Sequence, residues 1–269
     1  MKEQISIIGC GWLGFPLAKT LITNGLKVKG STTSEDKLKT IKAADIDAFL
    51  IRLHSEGVFG NYSEFLSGST TVIINIPPGL RKNPEKNHVE ELWHLIKAIE
   101  EQEVQNVLYI SSTSVYKDDV HLPTISNSTS PDGVSNSVKQ LIQIEKILQE
   151  NTSFATTIIR FGGLFDEQRH PAKYLSGKQN IKNPEAPVNL IHKDDCIAII
   201  LRVISNNFWN LTLNAVYPEH PIKKEYYSAY CKRHNLAQPK FDSSKKSKGK
   251  IIDSSKLVQL LNYTFKHGL

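Results

Sequence analysis

The chain has 269 residues, of which 39% are hydrophobic, three cysteines and a net charge of +6. That length accommodates one large α/β domain, or a domain with a smaller lobe, around a sizeable core. No apolar run approaches the roughly 18 residues that span a bilayer, and Met1-Lys2-Glu3-Gln4 leads straight into a strand pattern with no signal-peptide core, so a cytoplasmic protein without a membrane partner is expected. Cys10, Cys196 and Cys231 lack metal-ligand spacing and their odd number argues against a disulfide framework, so reduced thiols and no metal site are expected. Much of the positive excess sits in Lys245, Lys246, Lys248 and Lys250 without interleaved aromatics. This reads as a solvated basic loop rather than a nucleic-acid groove, and its charge suits phosphorylated cofactors or acidic substrates.

In chain order, Gln4 to Ile8 reads as a first strand and runs into Gly9-Cys10-Gly11-Trp12-Leu13-Gly14. A G-x-G-x-x-G directly after a strand and directly before a helix is a dinucleotide-site signature. Gly9 allows the tight turn, Gly11 lets backbone approach a pyrophosphate, and Gly14 lets the helix pack on the strand, with the phosphates at the helix N-terminus. Cys10, in that turn, is either a small filler or a thiol with a lowered pKa. Apolar spacing predicts a helix from Leu13 to Thr23, ended by Asn24-Gly25. A second strand from Leu26 to Lys29 ends at Gly30-Ser31-Thr32-Thr33-Ser34. Hydroxyls and Lys37, with no acid before Glu35, favour a 2′-phosphate over bare ribose hydroxyls, so NADP is expected in preference to NAD.

Asp47 to Ile51 and Thr71 to Ile76 read as the third and fourth strands, the latter closing on Asn75-Ile76-Pro77-Pro78-Gly79 at the sheet's carboxyl edge. Lys86 to Glu103 is an amphipathic helix. A fifth strand, Asn106 to Ile110, runs into the hydroxyl-rich Ser111-Ser112-Thr113-Ser114-Val115-Tyr116, and a sixth, Thr156 to Arg160, into Phe161-Gly162-Gly163 and Arg169-His170-Pro171. Two glycines there permit backbone approach to a cofactor, and Arg169 with His170 is a candidate clamp for a carboxylate or phosphate, the alternative being a surface pair of Arg169 with Asp166 or Glu167. Asp194 to Ile204 is a helix capped by Asp194 or Asp195. Further on come a strand at Trp209 to Asn214, a helix at Lys223 to His234 whose Tyr226, Tyr227 and Tyr230 read as lobe core, and a short helix at Ser254 to Leu261.

The glycine fingerprint, Tyr109-Ile110-Ser111-Ser112-Thr113-Ser114-Val115-Tyr116 and Val188-Asn189-Leu190-Ile191-His192-Lys193-Asp194-Asp195 together resemble an extended or atypical short-chain dehydrogenase/reductase of the NAD-dependent epimerase/dehydratase type. The resemblance implies an α/β Rossmann fold, a doubly wound parallel sheet, with a smaller C-terminal substrate lobe. The core would span residues 1–165, with 186–205 returning to it, and the lobe mainly 166–269. It implies that Ser112 bonds the reacting oxygen, with Thr113 beside it, that Ser111 lies at the cofactor, and that a Tyr-x-x-x-Lys pair stands on the next helix. There Lys139 is present as the ribose-holding residue, but Ser135 stands where Tyr belongs, a poor proton-transfer group near neutral pH. The literal Tyr174-x-x-x-Lys178 reads as coincidence. Tyr116 and His192 are candidates for a displaced acid/base, each with a plainer reading as a packing or loop-fixing residue.

Two functions follow. One is an NAD(P)-dependent oxidoreductase or epimerase-like enzyme acting on a small hydroxyl or carbonyl substrate. The other is a non-catalytic NAD(P)-binding protein with a redox-sensing or regulatory role, which needs the glycine turn and not the acid/base. A monomer or homodimer is expected.

Overall fold

The computed structural model describes residues 3–80 and 83–269, so Met1 and Lys2 of the expected N-terminal lead lie outside the described residues. Strands β1 (Gln4–Ile8), β2 (Lys27–Thr32), β3 (Asp47–Leu50), β4 (Thr71–Ile74), β5 (Asn106–Ser112), β6 (Ala155–Phe161) and β7 (Thr212–Ala215) form one seven-stranded parallel sheet in the order β7-β6-β5-β4-β1-β2-β3. Every residue of Thr71-Val72-Ile73-Ile74 is buried, the pattern of a central parallel strand covered on both faces. Strand β1 pairs with β2 on one side, Ile7 opposite Gly30, and with β4 on the other, Ile8 opposite Ile74. The strand order therefore reverses at β1, and open α/β sheets bind ligands outside the carboxyl ends of the strands at such a point.

Helix α1 (Gly14–Thr23) buries Leu17, Ala18 and Leu21 and ends at Asn24-Gly25, where Gly25 takes φ +85°. Helix α2 (Glu35–Lys42) follows β2. Helix α3 (His88–Glu100) begins later than the apolar pattern suggests, because the Asn87 side chain caps it by accepting from the Glu90 N–H at 3.2 Å. Helix α4 (Asn136–Glu150) turns Leu141, Ile144, Glu145 and Leu148 inward. The hairpin Arg52–His54/Gly57–Phe59 and the short helix Tyr62–Leu66 had no legible signal.

The chain divides into two compact units. One holds the chain up to Ser111 with Val134–Ile159 and Ile200–Thr212; the other holds Ser112–Gly133, Arg160–Ile199 and Leu213–Leu269. The excursion 112–133 thus groups with the second unit, and the segment returning to the first begins at Ile200, inside helix α5 (Lys193–Ser205). The second unit also carries helix α6 (Lys223–Arg233) and two short parallel pairs, Gly163–Phe165 with Leu190–His192 and Ile251–Ile252 with Thr124–Ile125. Its core is Phe165, Ala172, Val188, Leu190, Tyr227 and Cys231, with Tyr226 and Tyr230 packed against it, so the tyrosines of α6 are lobe core.

Candidate functional site

The glycine turn is built as its spacing predicts. Gly9 takes φ +102°, and a Cβ there would overlap the Asn75 carbonyl oxygen. A Cβ on Gly14 would overlap the Gly9 carbonyl, the contact that brings α1 close to β1. Gly11 differs, because a Cβ there meets nothing within 4 Å. Its freedom from side-chain bulk serves no packing need among the described residues. No side chain caps α1 after Leu13, and of its opening amides the Phe15 N–H donates to the Gly11 carbonyl at 3.0 Å. Asn75, placed by its sequence in the edge segment but given no side-chain role there, braces the turn by donating from Nδ2 to the Gly9 carbonyl at 3.0 Å. Beyond it Ile76 and Pro78 are half-buried and Pro77 is exposed, and Trp12 is half-buried at the turn's edge.

Cys10 is not a reactive thiol. It is buried, and burial pushes its pKa up to about 12. Its sulfur fills the space that a Cβ on Gly30 would enter at 2.6 Å, so the two residues are matched in volume.

At the end of β2 the hydroxyls are unequal. Ser31 is buried and its Oγ accepts from the Gly9 N–H at 3.0 Å, while Thr32 Oγ1 accepts from the Ser34 N–H at 3.1 Å. Thr33 is exposed, and Ser34, the N-cap residue of α2, makes no side-chain cap bond. The two hydroxyls open to a phosphate are therefore Thr33 and Ser34. Arg52 joins them from the neighbouring strand end, its Nη2 lying 3.9 Å from Glu35 Oε1. Strand order is the missing signal: β3 lies beside β2, so the residue just past β3 lands beside the residues just past β2.

Ser111 and Ser112 are strand residues, β5 running two residues further than expected. Ser111 is buried and its hydroxyl donates to the Glu145 carboxylate at 2.5 Å. Glu145 was missed, although a Glu on the Leu141/Ile144/Leu148 stripe of a helix is itself a signal. Ser112 is half-exposed and its Oγ accepts from the Ser114 N–H at 3.1 Å, while Thr113 is buried. Tyr116 is 1% exposed; its hydroxyl donates to Asn214 Oδ1 at 3.1 Å and accepts from Arg160 Nη1 at 2.5 Å. A phenol so enclosed is a packing and positioning group, which corrects the expectation of a displaced acid/base at this residue.

Ser135 has a definite role of its own. It is the N-cap of α4 in extended geometry, φ −68° and ψ 152°, and its Oγ accepts from the Val138 N–H at 3.4 Å. The helix therefore starts one residue later than expected, and exposed Lys139 sits in its opening turns. Tyr174, 64% exposed, lies on the short helix Pro171–Leu175, which ends before Lys178, so that Tyr-x-x-x-Lys has no helical geometry.

In the second unit, buried Asp166 takes the Lys193 ammonium at 2.7 Å and the backbone N–H groups of Gln168 and Arg169 at 3.0 and 2.7 Å. His170 is buried with both ring nitrogens engaged: Nδ1 accepts from the Ala172 N–H at 3.2 Å, which leaves Nε2–H to donate to the Tyr226 hydroxyl at 2.8 Å. Burial pulls its pKa down to about 4, so it offers no cation, which corrects the expected His170 half of an anion clamp. His192 is also buried. Its Nδ1 accepts from the Asp194 N–H at 3.2 Å, its Nε2 stands 3.3 Å from Glu167 Oε1 without hydrogen-bond alignment, and its ring stacks on His267 at 4.1 Å. Although His192, Asp194 and His267 cluster, imidazoles stacked 21° from parallel do not aim their in-plane lone pairs at one ion. Asp195 does not cap α5; it accepts from the Tyr263 hydroxyl at 2.6 Å and the amides of Lys266 and His267 at 2.9 and 3.1 Å. Gly162 and Gly163 leave room for Asn189 and Leu190 rather than for a cofactor, a Cβ on Gly162 coming to 2.7 Å from the Asn189 carbonyl and one on Gly163 to 2.5 Å from Leu190 Cδ2.

No protein-family model matches the chain. It is 28% identical over 267 residues to Protein YeeZ of Escherichia coli K12, covering 98% of this chain and 96% of that one. Among solved structures it is similar to MoeE5 in complex with UDP-glucose and NAD, with TM-score 0.81, 17% identity and coverage of 99% and 94%. It is also similar to UDP-glucuronic acid 4-epimerase from Bacillus cereus in complex with NAD, with TM-score 0.77, 18% identity and coverage of 98% and 94%. Among the described residues no helix is long and apolar enough to cross a membrane. The chain has the Rossmann-type fold of the NAD-dependent epimerase and short-chain dehydrogenase/reductase proteins.

Proposed function

We propose that this chain binds NAD(P), with NADP(H) preferred, and uses it as an oxidoreductase or epimerase-like enzyme on a small hydroxyl or carbonyl compound. The observation that carries this reading is Gly11, whose missing side chain is required by no atom among the described residues, in a turn where Gly9 and Gly14 are required by packing. Solved structures of the same fold contain NAD, and two of them a nucleotide sugar or an epimerase of one, which supports the cofactor and the type of substrate. In this reading the amides opening α1 hold the pyrophosphate and Thr33, Ser34 and Arg52 favour the 2′-phosphate. Lys139 serves the nicotinamide ribose, and Ser112 donates to the substrate oxygen. The cofactor supplies the hydride chemistry when bound. Arg169 serves as an anion contact through its guanidinium.

A second reading, a dinucleotide-binding regulatory protein without turnover, is favoured by one observation: Ser135 is a helix cap, so the phenol of the usual pair has no counterpart on α4. Both readings need the cofactor. The test is Gly11→Val, which puts a branched side chain into the open space above the turn while leaving the packing intact. NADPH titration should show binding to the original protein and at least a hundredfold loss in the variant, with an unchanged circular dichroism spectrum. Equal binding by both would refute the assignment of the turn.

A further inference from the structure

The basic loop near the C-terminus takes no part in the cofactor reading, and its surroundings belong wholly to the second unit. It borders a cleft of about 400 Å³ whose walls include Val120, Leu122, Pro184 and Glu185 together with Lys245 and Lys246. That volume lies in the range of small-ligand sites. The loop is held at both ends. On one side the Ser244 N–H donates to Asp242 at 2.9 Å, Ser247 Oγ accepts from the Glu185 N–H at 3.0 Å, and the Lys248 N–H donates to Asn183 Oδ1 at 3.1 Å. On the other, Gly249 exchanges two backbone bonds of 3.0 Å with Asp119, and buried Lys250 anchors its ammonium on the Tyr116 carbonyl at 2.6 Å and on Asp118 at 2.9 Å. A Cβ on Gly249 would stand 3.0 Å from both Ala186 and Pro187, so the loop is pressed against that wall.

Lysines outnumber acids along this wall. Segments 182–185, 223–224 and 245–248 carry six lysines and one acid, Glu185. They are neighbours, because the Lys224 N–H donates to the Pro184 carbonyl at 2.9 Å and the Lys223 N–H to the Ala186 carbonyl at 3.0 Å. Burial pulls the Lys223 ammonium below its ordinary pKa against the opposing charge of Asp118, and the ammonium donates to the Lys182 carbonyl at 2.8 Å. Of the nearby acids, Asp118 is paired with Lys250, Asp242 accepts from the Ser244 N–H and attracts Lys182 and Lys245, and Asp119 attracts Lys117 and Lys248, so the lysines are partly offset and remain in excess.

We infer that this cleft binds the phosphoryl group of a small phosphorylated molecule, held by Lys245 and Lys246, with the rest of the molecule against Val120, Leu122 and Pro184. Two ammonium groups on a fixed loop suit a multiply charged tetrahedral anion, and the apolar floor suits an organic body more than a bare ion. The inference stands apart from the dinucleotide reading, since none of these residues belongs to the glycine turn.

The test uses inorganic pyrophosphate, titrated into the full chain by calorimetry and by amide shifts in ¹H–¹⁵N spectra. Saturable binding is expected, with shifts at Leu122, Glu185 and Ser247 and weakening as salt rises. Lys245→Glu/Lys246→Glu should raise Kd at least tenfold, and Lys245→Arg/Lys246→Arg should stay within about threefold, which separates charge loss from misfolding. Gly11→Val should keep this binding while losing NADPH, so the two sites fail independently. Pyrophosphate binding abolished by Gly11→Val and untouched by charge reversal would overturn the inference. Citrate binding as tightly as pyrophosphate would overturn the phosphoryl assignment.

Discussion

The Ser31 hydroxyl accepts a hydrogen bond from the backbone N–H of Gly9 at 3.0 Å, which ties the end of β2 to the glycine turn. A hydroxyl expected to grip a 2′-phosphate is thereby engaged in bracing the glycine turn. Under the proposed function its contribution is common to both cofactors, and discrimination falls to the outer residues Thr33, Ser34 and Arg52.

Ser31→Ala should therefore weaken NADPH and NADH by similar factors, because an amide of the turn loses its acceptor. Arg52→Ala should weaken NADPH about fivefold, the scale of one solvent-exposed charged contact of ~1 kcal/mol, and leave NADH within twofold. Fluorescence titration with both cofactors reads the ratio. An unchanged NADPH/NADH ratio in Arg52→Ala would remove Arg52 from the site, and a ratio shifted by Ser31→Ala would restore the hydroxyl to the phosphate.

The sheet and the turn were legible because their signals are local. A glycine pattern between an apolar strand and an amphipathic helix needs no distant information, and Gly9 and Gly14 are bound by packing to within that segment and β4. What was not legible depends on which strand neighbours which. Asn75 and Arg52 reach the site only through the pairings of β4 with β1 and β3 with β2. Tyr116 looked available in sequence, and burial with Arg160 and Asn214 removed it from consideration, which periodicity cannot foresee. The two-unit division escaped a linear boundary for a similar reason, since Ser112–Gly133 leaves the first unit from the end of a core strand.

His170 gives the second unit a defined pH response. Burial is the main cause of its depressed pKa, with the charges of His234 and Lys173 adding to it. Its pKa is about 4 in the fold against 6.5 in its ordinary state, so the unfolded chain binds the extra proton between those values. Stability from this residue is complete above pH 6.5 and is lost as pH falls toward 4, by on the order of 3 kcal/mol. His170→Asn keeps an acceptor for the Ala172 N–H at the start of the short helix and cannot titrate. Urea unfolding of both proteins between pH 4 and 7 should show the difference in stability narrowing or reversing toward low pH. A constant difference across that range would show that the fold leaves the His170 pKa unshifted.

The final prediction concerns Ser135, because its geometry decides whether a lost tyrosine can be restored. Residue 135 is extended rather than helical, and its carbonyl accepts the first bond of α4, from the Lys139 N–H at 2.9 Å. Four residues of helix would place a phenol and an ammonium on one face, but a side chain on the cap residue leaves the helix before that face begins. Ser135→Tyr should thus cost about 1 kcal/mol through loss of the cap and create no reductase activity toward reactive carbonyls. Ser112 provides the opposing measurement. If the protein turns over a substrate through Ser112, Ser112→Ala should lower kcat by roughly 10-fold or more, on the scale of a lost proton-donating or oxyanion contact, with NADPH affinity nearly unchanged. Ser112→Thr, which keeps the hydroxyl and the bond from Ser114, should recover most of it. Steady NADPH oxidation that Ser112→Ala leaves untouched would move the chemistry off this strand, and a gain of activity in Ser135→Tyr would show that α4 can extend by one residue and rebuild the usual pair.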